Sequence, residues 1–154
     1  SSFILPADHK PNMLVRALNK QTILQYLDLI RGRVVVFIDA CYAADGLELA
    51  KMPGAQRLIA PGLVNEFAER GIISFASSSG KERSYAEGDY SYFTKALIEG
   101  LKGQGRRFQT DTQVLTTGLG DWLAHRVNGL SDGKQNPVML ASPLTKPVPL
   151  ANLK

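Results

Sequence analysis

One cysteine, two histidines and a short run of serines carry most of the reactive chemistry in this 154-residue chain. The thiol belongs to Cys41, in Asp39-Ala40-Cys41, directly after the run Val34-Val35-Val36-Phe37-Ile38. A thiol attacks a carbonyl only as its thiolate, and with an ordinary pKa of about 8.5 it is mostly protonated at neutral pH. It therefore needs a base within reach, which in most such sites is a histidine. A second apolar run, Ile72-Ile73-Ser74-Phe75-Ala76, leads into Ser77-Ser78-Ser79-Gly80, with Glu82 just beyond. Hydroxyls there can hydrogen-bond a peptide backbone, and a carboxylate can receive a cation. On the residues alone, the plainer reading of Cys41 is a small buried hydrophobe, as free cysteines usually are. The serines serve equally well as strand-end caps. A single cysteine excludes an internal disulfide and a Cys-rich metal site, and no cofactor is expected.

The elements that would position these groups are legible from periodicity. Residues 34–38 form a continuous β-branched and aromatic run, the pattern of a strand buried on both faces in a parallel sheet. Residues 72–76 repeat it. Between them, after a loop of about twenty residues, Pro61 opens a helix with Leu63, Val64, Phe67 and Ala68 inward and Gly71 as its stop. Strand, helix, strand predicts a right-handed βαβ unit. Sites in open parallel sheets form beyond the carboxyl ends of the strands, so Asp39-Ala40-Cys41 and the serines should emerge at one edge.

The remainder supports an α/β chain. Residues 1–11 read as the tail of a strand or an extended arm. Ile23, Leu24, Leu27 and Ile30 make one face of a helix over 19–31, with Gly32 as its stop. The polar stretch 77–84 is expected outside the core. A helix over 91–102 carries Phe93, Ala96, Leu97 and Leu101, and residues 103–107 form a flexible basic loop. A further helix over 112–128 presents Val114, Leu115, Leu119, Trp122, Leu123 and Val127. Gly118 and Gly120 should weaken it by about 1 kcal/mol each. Residues 137–141 read as a short last strand, and the Pro-rich tail after it as extended.

Bulk composition limits the function classes. The length suits one domain, and 44% apolar with 21% charged residues is ordinary for a folded globular protein. The net charge of +4 is dispersed, the longest basic run being Arg106-Arg107, with no stripe interleaved with aromatics. No nucleic-acid partner is expected. No apolar run approaches the roughly 20 residues that cross a bilayer, so no membrane association is expected, and the location should be cytoplasmic. The first residue is Ser1, not Met, which predicts an excerpt or a processed chain.

Four ordered blocks carry a resemblance to a known family. Val34 to Cys41 resembles the strand and Asp-x-Cys nucleophile turn of caspase-like cysteine peptidases of clan CD, in the metacaspase and bacterial caspase-homologue branch. Ile72 to Ser78, followed by Glu82-x-Ser84, resembles that family's next strand and substrate-binding loop. Tyr92-Phe93-Thr94-Lys95-Ala96-Leu97 resembles the helix after that loop, and Gly133-Lys134-Gln135-Asn136-Pro137-Val138 the approach to its final core strand. Ile4-Leu5-Pro6-Ala7-Asp8 is similar to the segment after the catalytic-histidine loop. The resemblance implies that residues 1–154 are the C-terminal portion of one caspase-like domain. It also implies a three-layer α/β/α fold with a mostly parallel central sheet, partial in this chain.

What it implies chemically is hydrolysis of a protein or peptide substrate with Cys41 as nucleophile. Asp39, where caspases proper carry Gln, would lie at the base of the pocket and favour Arg or Lys at P1. Capping of a neighbouring loop, or pairing with an internal Arg, is its alternative role. Glu82 would be a second acidic wall, and Ser77 and Ser78 would hydrogen-bond the substrate backbone. The oxyanion would be held by the Cys41 N–H and by one from the histidine loop. Here the chain departs from the pattern, because caspase-type histidines lie about 50 residues before the cysteine, ahead of residue 1. His9 is 32 residues upstream and His125 is 84 downstream, and both read as surface or structural. The dyad histidine is therefore expected outside the chain, first of all on a second fragment of the same protein. An excerpted chain and a catalytically silent interaction scaffold are the alternatives. A basic P1 preference would make Lys51, Arg57, Arg106 and Arg107 candidates for self-processing.

Overall fold

The computed structural model describes residues 3–4, 18–39, 63–79 and 82–153. Strand β1 (Phe3–Ile4) pairs antiparallel with β2 (Leu18–Asn19), Phe3 opposite Asn19 and Ile4 opposite Leu18. Helix α1 (Lys20–Asp28) follows at once. It is shorter at both ends than the apolar spacing predicts. Its first expected residue is in the β1–β2 ribbon, and Ile30 lies beyond the helix and is half exposed rather than inward. Leu24 is buried, with Ile23 and Leu27 packed around it.

Strand β3 (Val35–Ile38), helix α2 (Leu63–Glu69) and strand β4 (Ile73–Ala76) follow in order. β3 and β4 are parallel, with Val35 opposite Ile73 and Ile38 opposite Ala76. Leu63, Val64 and Phe67 bury the inner face of α2. Gly71 ends that helix as expected, for a physical reason. At φ 72° it lets its own N–H reach the Ala68 carbonyl and the Ile72 N–H reach the Phe67 carbonyl, a left-handed cap that costs a side chain dearly.

A short ribbon, β5 (Ala86–Glu87) with β6 (Tyr90–Ser91), leads into α3 (Tyr92–Leu101). Then come a 3-10 turn (Arg106–Phe108), β7 (Gln113–Leu115), α4 (Thr116–Leu130), β8 (Val138–Leu140) and β9 (Pro149–Asn152). β8 lies antiparallel on β4, giving a sheet ordered β3-β4-β8. Side chains alternate across it, as strand geometry requires. Val36, Ile38, Ile72, Ala76, Val138 and Leu140 meet α1 and α2 on one face. On the other, Val35, Ile73, Phe75 and Met139 meet α3 and α4. Helices on both faces of a mixed sheet make the three-layer α/β/α arrangement.

Three local expectations are corrected. Residues 113–115 are strand, not the first turn of a helix. The tail supplies β9 as an antiparallel partner, and β-branched Val114, opposite Ala151, is fully buried. Thr116 fastens the same tail, its N–H donating to the Val148 carbonyl at 2.9 Å and its Oγ1 accepting the Val148 N–H at 3.1 Å. The basic segment 103–107 is not a loose loop. Its end enters the 3-10 turn, Gly105 lies under the Trp122 ring, and Phe108 packs 6.4 Å from Trp122. Finally, Gly118 is a fitting requirement in α4 as well as a weakness, since a Cβ there would fall 1.7 Å from the Phe108 carbonyl oxygen.

Gly118→Ala should therefore destabilise the protein by about 3 kcal/mol, read from urea unfolding, because backbone must shift to admit the methyl. Trypsin nicking after Arg106 or Arg107 should speed up with it. Unchanged stability and nicking would show that the turn does not rest on α4. A second expectation concerns pH. Arg126 binds Glu99 through two hydrogen bonds of 2.7 and 3.1 Å between α4 and α3. Those bonds hold the Glu99 carboxyl below the usual glutamate range, against the opposing effect of partial burial. A depressed carboxylate contributes stability above its unfolded pKa, and the contribution is lost as pH falls through the folded value. Glu99→Gln should cost about 0.5–1 kcal/mol at neutral pH, the pair being partly exposed, with the deficit vanishing in acid.

Candidate functional site

The carboxyl edge of the sheet is assembled by backbone pairing. Ile38 stands opposite Ala76, and the Ser77 N–H continues the ladder onto the Ile38 carbonyl at 2.8 Å. Asp39 and residues 77–79 consequently leave the sheet side by side, as the strand-end argument predicts. Cys41 lies outside the described residues, as do His9, Lys51, Arg57 and Lys81.

Asp39 is exposed and turned toward α3. Its Oδ2 accepts hydrogen bonds from the Ser91 Oγ and, at 2.6 Å, from the Thr94 Oγ1. Ser91 is also the N-cap of α3, its Oγ accepting the Thr94 N–H at 2.9 Å. The carboxylate thus sits at the positive end of the helix, where a negative charge is favoured. Its Oδ1 has no hydrogen-bond partner among the described residues.

The serines are not where a polar run is expected. Ser77 and Ser78 are completely buried, because the chain continues straight from β4 before turning under the segment 131–136. The Ser77 and Ser84 hydroxyls share a 2.7 Å hydrogen bond. The Ser78 Oγ has no partner among the described residues, an uncommon condition for a buried hydroxyl. Glu82 does not hang free. Its Oε2 accepts the Asn136 N–H at 2.7 Å and its Oε1 the Asn136 Nδ2 at 2.8 Å. Burial alone would raise its pKa, but the Asn136 and Ser79 hydrogen bonds outweigh that and keep it below the usual range. His125 is engaged by the 3-10 turn, 2.5 Å from the Arg107 Nη2 and 5.6 Å from the Phe108 ring.

Sequence reasoning did not single out Ser91, Thr94, Gln135 or Asn136. Ser91 and Thr94 carry a signal, a serine three residues before a hydroxyl at a helix start. Gln135 carries none of its own, since only the fold shows that its amide is buried. Among the described residues no group of three or more His, Cys, Asp and Glu could hold a metal ion, and no helix is long and apolar enough to cross a membrane.

The described residues thus form a three-layer α/β/α fold with Asp39 and the serine segment at the carboxyl edge of its sheet. Residues 1–149 match the family model described as the caspase domain, peptidase family C14. That is nearly the whole chain, and the chain belongs to this family of cysteine peptidases. No curated protein and no solved structure matches it.

The hold on Asp39 is testable. Thr94→Val removes one donor and keeps the shape of the side chain, and should lower stability by about 1 kcal/mol in urea unfolding. A variant as stable as the parent would show that the hydroxyl contributes nothing to fixing the carboxylate.

Proposed function

We propose that residues 1–154 are the nucleophile-bearing, C-terminal portion of a caspase-like domain that cleaves peptide bonds after Arg or Lys. Cys41 is the nucleophile, and the histidine that ionises it lies on a second fragment of the same protein. The observation that carries the specificity is the state of Asp39. Two hydroxyls fix Oδ2, while Oδ1 has no described partner. An oriented carboxylate whose second oxygen has no partner among the described residues suits a guanidinium or ammonium group, and such charge-assisted bonds are strong. Asp39 is the P1 receptor in this reading.

The chemistry follows from the groups assigned. The histidine takes the thiol proton, the thiolate adds to the scissile carbonyl, and the same histidine returns the proton to the leaving amine. Water then hydrolyses the thioester. The Cys41 N–H and one from the histidine-bearing fragment steady the oxyanion. Ser77 and Ser78, both buried at the strand end, support the substrate-binding edge from beneath and do not touch the substrate. Glu82, whose oxygens are occupied by Asn136, shapes the acidic side of the pocket by fixing its loop. Self-processing, which belongs to the metacaspase branch of this reading, favours Lys51 or Arg57. Arg106 and Arg107 sit in a 3-10 turn that must unwind before a peptidase can bind it as an extended strand.

The test uses the complete protein and a thiol-reactive peptide ending in Arg. Wild type should be labelled, Cys41→Ala should not, and Asp39→Ala should lose about 100-fold in kcat/KM for basic P1. Absence of labelling in activated wild type would overturn the peptidase reading and leave an interaction domain. Retained basic preference in Asp39→Ala would remove Asp39 from the pocket.

A further inference from the structure

We infer that Gln135 is a positioning residue that fixes the two ends of the substrate loop, where the chain leaves β4 at Ser77 and where it enters β5 at Tyr85. The inference rests on the peptidase reading and adds to it a residue remote in sequence from the proposed nucleophile. Its side chain is fully buried. A buried amide is costly unless its donor and acceptor are both used. Here both are used, and on the same loop. The Gln135 Nε2 donates to the Ser77 carbonyl at 2.7 Å, and its Oε1 accepts the Tyr85 N–H at 2.8 Å.

The post that carries this amide is firm. The Gln135 N–H donates to the Ser131 Oγ at 2.9 Å, and Ser131 is the buried C-cap of α4, its N–H bonded to the Val127 carbonyl. The neighbouring Asn136 takes hold of the loop between those ends, through Glu82. Two consecutive residues thus hold the loop at its start, middle and end. The described part of 77–85 contains no helix or strand. Its internal bonds are the Ser77–Ser84 hydroxyl pair and the Glu82 contacts with Ser79, and its anchors to the rest of the fold include Gln135 and Asn136. Each end is then passed to another element. Ser77 is tied to β3 through the Ile38 carbonyl, and the Tyr85 carbonyl accepts the Tyr92 N–H at the start of α3. An apolar side chain of equal volume would fill the same space without specifying that course. The amide is satisfied only when the Ser77 carbonyl and the Tyr85 N–H keep their present separation.

Gln135→Glu is the discriminating variant, made in the complete protein. As a carboxylate it keeps the acceptor for Tyr85 and loses the donor for Ser77. In acid the protonated side chain regains a donor. At neutral pH, KM for an Arg-P1 peptide should rise about tenfold. The kcat and the iodoacetamide alkylation rate of Cys41 should stay at wild-type values, and the KM defect should shrink as pH falls. Amide exchange at Tyr85 should accelerate about tenfold while β4 stays protected. Gln135→Met, which keeps the volume and loses both bonds, should show the same KM rise with no recovery in acid. Wild-type KM and exchange in both variants would overturn the inference. So would a parallel fall of kcat, alkylation rate and melting temperature, which marks a purely structural residue. Absence of turnover by wild type defeats the peptidase reading, and any substrate role for Gln135 falls with it. The exchange rates then still report whether Gln135 holds the loop.

Discussion

The register of β3 on β4 is the constraint on which the site depends. Four residue pairs run in parallel from Val35 with Ile73 to Ile38 with Ala76, and the Ser77 N–H closes the ladder on Ile38. A slip by one residue would turn every side chain to the opposite face. If β3 moved, Val36 and Ile38 would leave the α1–α2 core and Val35 the α3–α4 core. Because both faces are packed with apolar side chains, such a slip is strongly disfavoured. The same register delivers Asp39 and Ser77 to one edge at one level. The chemistry at that edge is in this sense a by-product of how two apolar cores share a sheet.

Beyond the strand ends the stabilising logic changes from apolar burial to paired polar groups. Ser77, Ser131 and Gln135 are buried and bonded to one another or to main chain. Each bond contributes modestly, but each buried group left unpaired would be expensive. The network is consequently selective about shape, since it tolerates few alternative paths for the loop. Ser91 and Thr94 do the same for Asp39 with the first turn of α3. Segments far apart in the chain (the loop after β4, the start of α3 and the turn after α4) are in this way held to one geometry. Side chains contributed by separate segments keep one mutual geometry only when their supports are fixed in this way.

The sequence by itself determined the apolar framework and the family. The apolar runs at 35–38 and 73–76 are strands as read, but only β4 is buried throughout. β3 lies at the edge of the described sheet β3-β4-β8, with Phe37 exposed, so the expected burial on both faces is corrected there. The Leu63, Val64, Phe67 face and the Gly71 stop state their helix plainly. Ordered blocks around Asp39-Ala40-Cys41 were sufficient to name the caspase-like class that the family match bears out. These features are legible because each depends on neighbours within a few residues. Where the partner is distant, local reading went astray. A polar run looks like surface, yet Ser77 and Ser78 are buried, and the Ser77 carbonyl is bonded by Gln135, more than fifty residues away. Val114 has helix-like spacing, yet it is strand because the tail arrives beside it. Gly118 looks like a defect until the Phe108 carbonyl is seen against it. Only the tertiary structure decided these, because hydrogen-bond satisfaction and close packing are properties of pairs brought together by folding, and a linear sequence records only one member of each pair at a time.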